Sequence, residues 1–200
     1  MSRNLPQIAA AAFAAQKATG CPGLLLIAQC ALETGWLSSV PQNNCFGIKD
    51  YPGAYGRQML KTTEWFNNSE KRWFLTKGDG RTLEPVDRSP GPGVVDMHGR
   101  SKYYAQDWFA TFETLAACFA KRAALFGSGP YGYAAQRFKV DGDLPALVKA
   151  IAPYYATDPG YADKVLAIIR QADVQAAWRF AEDQAHPDLR AGALQPQATT

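Results

Sequence analysis

Two hundred residues, 47% of them hydrophobic and 20% charged, describe an ordinary globular chain long enough for one well-buried core. Twenty-one basic residues against 18 acidic leave a formal net charge of +3, too small and too scattered for a nucleic-acid-binding protein, though it permits weak attraction to an anionic polymer. No apolar run approaches the roughly 18 to 20 residues that cross a bilayer, so no transmembrane helix is expected.

Met1 to Gln7 leads straight into an alanine-rich amphipathic segment, with no separate basic region, apolar core and cleavage site, and predicts no conventional signal peptide. Asn4 with Gln7 has the form of a capping box, Pro6 falls in the first turn and Gly20 closes a first helix at Leu5 to Thr19. Pro22 opens a second helix that stops at Gly35 and carries Glu33 in its last turn. Lys61 to Phe66 and Lys71 to Leu75 read as two strands around an Asn67-Asn68-Ser69 turn, a small β-hairpin lobe at about residues 50–100. Lys77 to Arg100, with eight Gly or Pro in 24 positions, reads as a long loop.

Helices are expected again at Thr111 to Phe126, Tyr131 to Phe138, Asp143 to Ala152 and Pro159 to Phe180, with Asp143 and Asp158 as N-caps. The outline is an α+β domain, mainly α, over residues 1–181, with a cleft between lobes and a flexible tail at 182–200. Cys21, Cys30, Cys45 and Cys118 lack the close pairing of a zinc site and read as buried free thiols. A bridge between Cys30 and Cys45, which flank Glu33, stays open for an oxidising compartment.

Glu33 is the only charged residue from Ala18 to Ile48. An apolar neighbourhood, Trp36 one turn away and a helix C-terminus with its unsatisfied carbonyls all favour its protonated form, which suits a general acid. A salt bridge to a distant Arg or Lys is the alternative. His98 and His186 have no neighbouring ligand set, so no metal is expected, nor any cofactor.

Ala28-Gln-Cys-Ala-Leu-Glu-Thr-Gly-Trp36, Asn44-Cys-Phe-Gly-Ile-Lys49, Thr62-Thr-Glu64 and Tyr155-Ala-Thr-Asp-Pro-Gly-Tyr-Ala-Asp-Lys164 together resemble the bacterial endo-β-N-acetylglucosaminidases of glycoside hydrolase family 73, in the order that family shows. Cys45 stands where family members commonly carry leucine, and the stretch from Lys77 to Arg100 is longer and more irregular than usual. The resemblance implies a lysozyme-like fold and hydrolysis of the β-1,4 bond after N-acetylglucosamine in peptidoglycan.

The same resemblance maps the general acid to Glu33, a second carboxylate to Glu64 and a cleft residue to Tyr155. Two carboxylates suit the reaction, one protonating the departing oxygen and the other activating water or stabilising the oxocarbenium-like state. Glu70, Asp79, Glu84 and Asp87 are rivals to Glu64, and a substrate 2-acetamido group is a further substitute. Trp36, Trp65 and Tyr161 are candidates for stacking on sugars, while Phe46 and Gly47 are read as a tight turn lining the cleft, with Gly47 allowing close backbone approach.

Peptidoglycan strands are the implied partner. With no signal peptide expected, the leading role is an antibacterial effector, made in the cytoplasm, delivered to the periplasm or wall, and matched by an immunity protein that blocks the cleft. A phage endolysin, a flagellar domain, a catalytically inactive wall-binding module and a lytic transglycosylase are the other readings.

Overall fold

The computed structural model describes residues 4–50, 53–76, 80–86, 99–156, 158 and 160–185. Eight helices are described: α1 (Leu5–Thr19), α2 (Gly23–Thr34), α3 (Asn68–Thr76), α4 (Leu115–Phe126), α5 (Gly132–Asp141), α6 (Leu144–Tyr155), α7 (Tyr161–Ile169) and α8 (Ala172–Ala185). Three strands accompany them, β1 (Arg57–Phe66), β2 (Thr82–Pro85) and β3 (Ser101–Ala110), so the chain is mainly α with a small sheet, as expected. None of the described helices is long and apolar enough to cross a membrane.

The chain divides into two compact units, one of residues 1–46 and 112–200 and the other of residues 47–111. In the first, α1 packs on α2, α4 and α8, and α2 packs on α7 and α8. Ile8, Leu25, Leu26, Ile27, Phe119, Val148, Ile151, Val165 and Val174 form its buried centre, each contributing about 1.5 to 3 kcal/mol by leaving water. Gly23 begins α2 because Trp178 presses its ring onto that backbone: a Cβ there would collide with the ring. Trp178 is itself held by Phe13, with ring centroids 5.6 Å apart.

In the second unit the strand order is β1-β3-β2, antiparallel throughout, with Glu64 opposite Tyr103 and Lys61 opposite Gln106. α3 packs on β1 through Phe74, which lies 5.2 Å from the Phe66 ring and is buried.

Several expectations are corrected. Lys71 to Leu75 is helix, not strand: Asn67 Oδ1 accepts from the backbone N–H of Ser69 and Glu70, and Glu70 Oε2 accepts from Asn67 N–H, a capping box that commits the segment to α3. The long partner of β1 is instead β3, and β2 lies within the stretch read as loop. The last helical segment is two helices, α7 and α8, and α8 continues through residues 182–185. Asn4 makes no cap bond at α1 and donates to the Trp36 carbonyl at 3.3 Å. Asp143 caps α6 as expected, accepting from Ala146 N–H at 2.9 Å, whereas α7 starts after Gly160 with Asp158 bonded to Gly160 N–H and Lys164.

Candidate active site

Glu33 occupies the last turn of α2, and the chain leaves the helix through three successive left-handed residues, Gly35 (φ 56°), Trp36 (φ 65°) and Leu37 (φ 63°). Left-handed backbone at Trp36 and Leu37 costs about 1 to 2 kcal/mol per residue, so something must hold it. Thr34 does so: its hydroxyl donates to the Cys30 carbonyl at 2.6 Å and accepts from Leu37 N–H at 2.8 Å, while Ser38 Oγ donates to the Thr34 carbonyl at 2.7 Å. Glu33 is thereby presented at a rigid helix end with Trp36 half-buried just beyond it.

By surface area Glu33 is exposed, yet neighbouring protein crowds its carboxyl enough that desolvation pushes its pKa above the usual carboxylate value. The Tyr155 hydroxyl and the Arg122 charge oppose that rise without cancelling it. Neither the fully buried carboxylate nor the salt-bridged one is realised: the group is reachable and partly dehydrated.

One turn before Glu33 on the same face of α2, buried Gln29 donates to the Tyr161 hydroxyl at 3.1 Å. The Tyr161 ring lies 5.2 Å from that of Tyr155, and the Arg122 guanidinium sits 4.8 Å from the Tyr155 ring and 5.5 Å from the Tyr131 ring. Burial, with the Glu33 charge next, pushes the Tyr155 hydroxyl well above its ordinary pKa, and burial likewise raises that of Tyr161. Both phenols are therefore neutral, and Tyr161, 6% exposed, supports Tyr155 instead of offering a face to sugar.

This cluster holds several enclosed polar atoms that meet no partner in hydrogen-bonding geometry among the described residues: the Tyr155 hydroxyl, Gln29 Oε1, and Nε and Nη2 of Arg122. Arg122 is 3% exposed on α4. Gln29 and Arg122 are the residues the sequence reading missed, although Arg122 falls in register with Leu115, Phe119 and Phe126 on the apolar face of α4, where a charge is conspicuous.

In the sheet unit, Glu64 is partly exposed and bound by Lys49, whose Nζ lies 2.7 Å from Oε1. Lys49 also reaches Oδ2 of fully buried Asp107 at 2.8 Å, and Arg81 Nε approaches Asp107 Oδ1 at 2.9 Å, close enough for an ion pair but not aligned as a hydrogen bond. Burial opposes the charge on Lys49, but Glu64 and Asp107 outweigh it and its pKa is raised.

Register puts Trp65 on the opposite face of β1 from Glu64, half-buried, with Lys102 Nζ 5.7 Å from its ring. Phe46 in the helical unit is 7% exposed and packs edge-on against Phe119 at 4.9 Å, so its ring is committed to the core. Gly47 is required by its left-handed φ of 59°, not by close approach, since the nearest atom to a Cβ there is 4.0 Å away.

All four cysteines are free and buried; Cys45 Sγ meets Cys118 Sγ at 3.5 Å, and Cys30 also lies against the Cys45 thiol. Burial pushes the Cys21 thiol up to about 12. No group of three or more His, Cys, Asp or Glu among the described residues is placed to hold a metal ion, and His98, His186, Asp79 and Asp87 lie outside those residues.

Residues 9–174 match the glucosaminidase family model, described as mannosyl-glycoprotein endo-β-N-acetylglucosaminidase. Together with a dehydrated glutamate at a helix end, that match defines the class: a glycoside hydrolase. Peptidoglycan hydrolase FlgJ of Vibrio parahaemolyticus is 32% identical over 161 residues, 77% of this chain and 42% of that protein, so the chain spans less than half the length of that relative. The catalytic domain of the Listeria monocytogenes autolysin Auto superposes with a TM-score of 0.58 at 20% identity, covering 88% of this chain and 89% of that one. A glycoside hydrolase domain of Salmonella typhimurium FlgJ gives 0.54 at 23% identity, covering 84% and 95%. These likenesses bear out the lysozyme-like fold, and the chain belongs to the glucosaminidase family, glycoside hydrolase family 73.

Proposed function

We propose that this chain hydrolyses the β-1,4 bond between N-acetylglucosamine and N-acetylmuramic acid in peptidoglycan, with Glu33 as general acid. The observation that carries the reading is the raised pKa of a reachable Glu33 carboxyl. A carboxyl that holds its proton more firmly than an ordinary glutamate can donate it to the departing glycosidic oxygen, which takes the electron pair of the breaking C–O bond.

Glu64, paired with Lys49, is the natural second group, activating water or stabilising the oxocarbenium-like state as an anion. The enclosed Tyr155 hydroxyl, beside the Glu33 carboxyl, suits contact with the acetamido group or the developing charge. Trp36 and Trp65 are proposed sugar contacts, with Phe46, Gly47 and Tyr161 in supporting roles. Carboxylates suffice for this chemistry, so it calls for no metal or cofactor.

Within that reading the biological role is an antibacterial effector acting on wall peptidoglycan and restrained by an immunity protein. A phage endolysin would share the chemistry. A clearing assay on purified cell walls tests the activity: turbidity falls with the wild-type chain and stays level with Glu33→Gln. A wild-type chain that binds walls without clearing them would instead be an inactive recognition module.

A further inference from the structure

Arg122 carries a permanent charge, yet its guanidinium is buried, and Nε and Nη2 have no hydrogen-bond partner among the described residues. Buried charges are ordinarily paired, so a buried guanidinium with two nitrogens unmatched calls for an anionic counterpart nearby. The packing leads to one. Arg122 stacks on Tyr155, Tyr155 on Tyr161, Tyr161 bonds to Gln29, and Gln29 stands one helical turn from Glu33 on α2.

Among the described residues no other group around Arg122 fills that role. Tyr131 offers it only a ring, Tyr155 and Tyr161 are phenols whose pKa values burial raises, and Cys21, whose pKa it lowers against a larger rise from burial, is a neutral thiol. α1, packed on α4, carries only Lys17, exposed beside Phe13, and α4 itself adds Lys121. Lys149 of α6 and Asp163 and Lys164 of α7 are exposed. Among the described residues Glu33 is the one carboxylate that bears on the cluster, and α2 has no other charge.

We propose that Arg122 is a positioning residue that steadies Tyr155 through its ring and acts as counter-charge to the carboxylate left on Glu33 after proton donation. The inference rests on Glu33 being the general acid. As the glycosidic C–O bond breaks, its electron pair and the Glu33 proton go to the leaving oxygen, water completes the anomeric carbon, and Glu33 is left negative until solvent returns its proton. Arg122, enclosed, does not touch the substrate. A charge preorganised at that point lowers the cost of the step, because nothing must reorient as the negative charge appears.

The test is the dependence of wall-clearing kcat on pH for wild type, Arg122→Met, Arg122→Lys and Glu33→Gln. Met matches the volume of the buried side chain, a replacement that buried ion pairs often tolerate. With Arg122→Met the alkaline limb moves up by about one pH unit, since the acid holds its proton harder, and the plateau falls about tenfold or more. Arg122→Lys keeps the charge and leaves the limb near its wild-type place.

An unmoved limb in Arg122→Met, with Glu33→Gln inactive, overturns the inference alone; an active Glu33→Gln overturns the general-acid reading beneath it. Should Arg122→Met fail to fold, the wild-type chain decides. Its Arg122 Nε–H resonance shifts with the midpoint of the alkaline limb if the two groups face each other, and stays constant through that midpoint if they do not.

Discussion

A carboxyl useful as a general acid near neutral pH must be reachable by substrate and poorly hydrated at once, and Glu33 meets both demands by standing at a rigid helix end. Such a group weakens the fold where it ionises. Its folded pKa lies above its unfolded one, so between the two the native state holds the extra proton, and stability falls as pH rises through that window. Glu33→Gln removes the effect: its Tm should exceed that of wild type at pH 7, and the two should converge below pH 4. An equal gap at both pH values would argue that burial of the ionised form is not what the variant relieves. Glu64, by contrast, is held in an ion pair by Lys49. Glu64→Gln is expected to lower kcat by roughly 10² to 10³ while wall binding survives, measured by clearing and by co-sedimentation. Early products should be the inverted anomer if Glu64 activates water; a retained anomer with a near-normal Glu64→Gln rate would remove it from the mechanism.

At the scale of elements, two local arrangements carry testable weight. Asn67→Ala removes the cap of α3 and should cost about 1 kcal/mol in urea unfolding. Gly23→Ala drives a methyl into the Trp178 ring and should cost about 1 to 3 kcal/mol, with Trp178 fluorescence reporting the displaced ring. These elements also mark what the sequence disclosed. α1 and α2 were legible to the residue, because Gly20 and Gly35 end them in left-handed caps and their interiors hold no competing signal. The Asn67–Glu70 capping box was equally legible but lay beneath the aromatic residues Trp73 and Phe74, whose strand propensity is weaker evidence than a cap with its partners in place. β3 was missed because its inward side chains include Asp107, and a buried carboxylate paired with Lys49 and Arg81 breaks the simple apolar alternation.

Across the whole molecule, family-specific blocks pointed to Glu33, Glu64 and Tyr155, while Gln29 and Arg122 emerged only from packing. A glutamine or an arginine on an apolar helix face gives no hint of its partner until the other helices are in place. The enclosed state of the thiols belongs to this scale as well: none of the four should react with a thiol reagent in the native chain, and all four should react once it is unfolded. The central claim, an endo-N-acetylglucosaminidase driven by Glu33, is tested most directly by digesting purified sacculi, reducing the products with borohydride and identifying the new ends by mass spectrometry. Wild type should yield glucosaminitol ends and Glu33→Gln none; muramitol or anhydro-muramic ends from wild type, or undiminished glucosaminitol from the variant, would contradict the account.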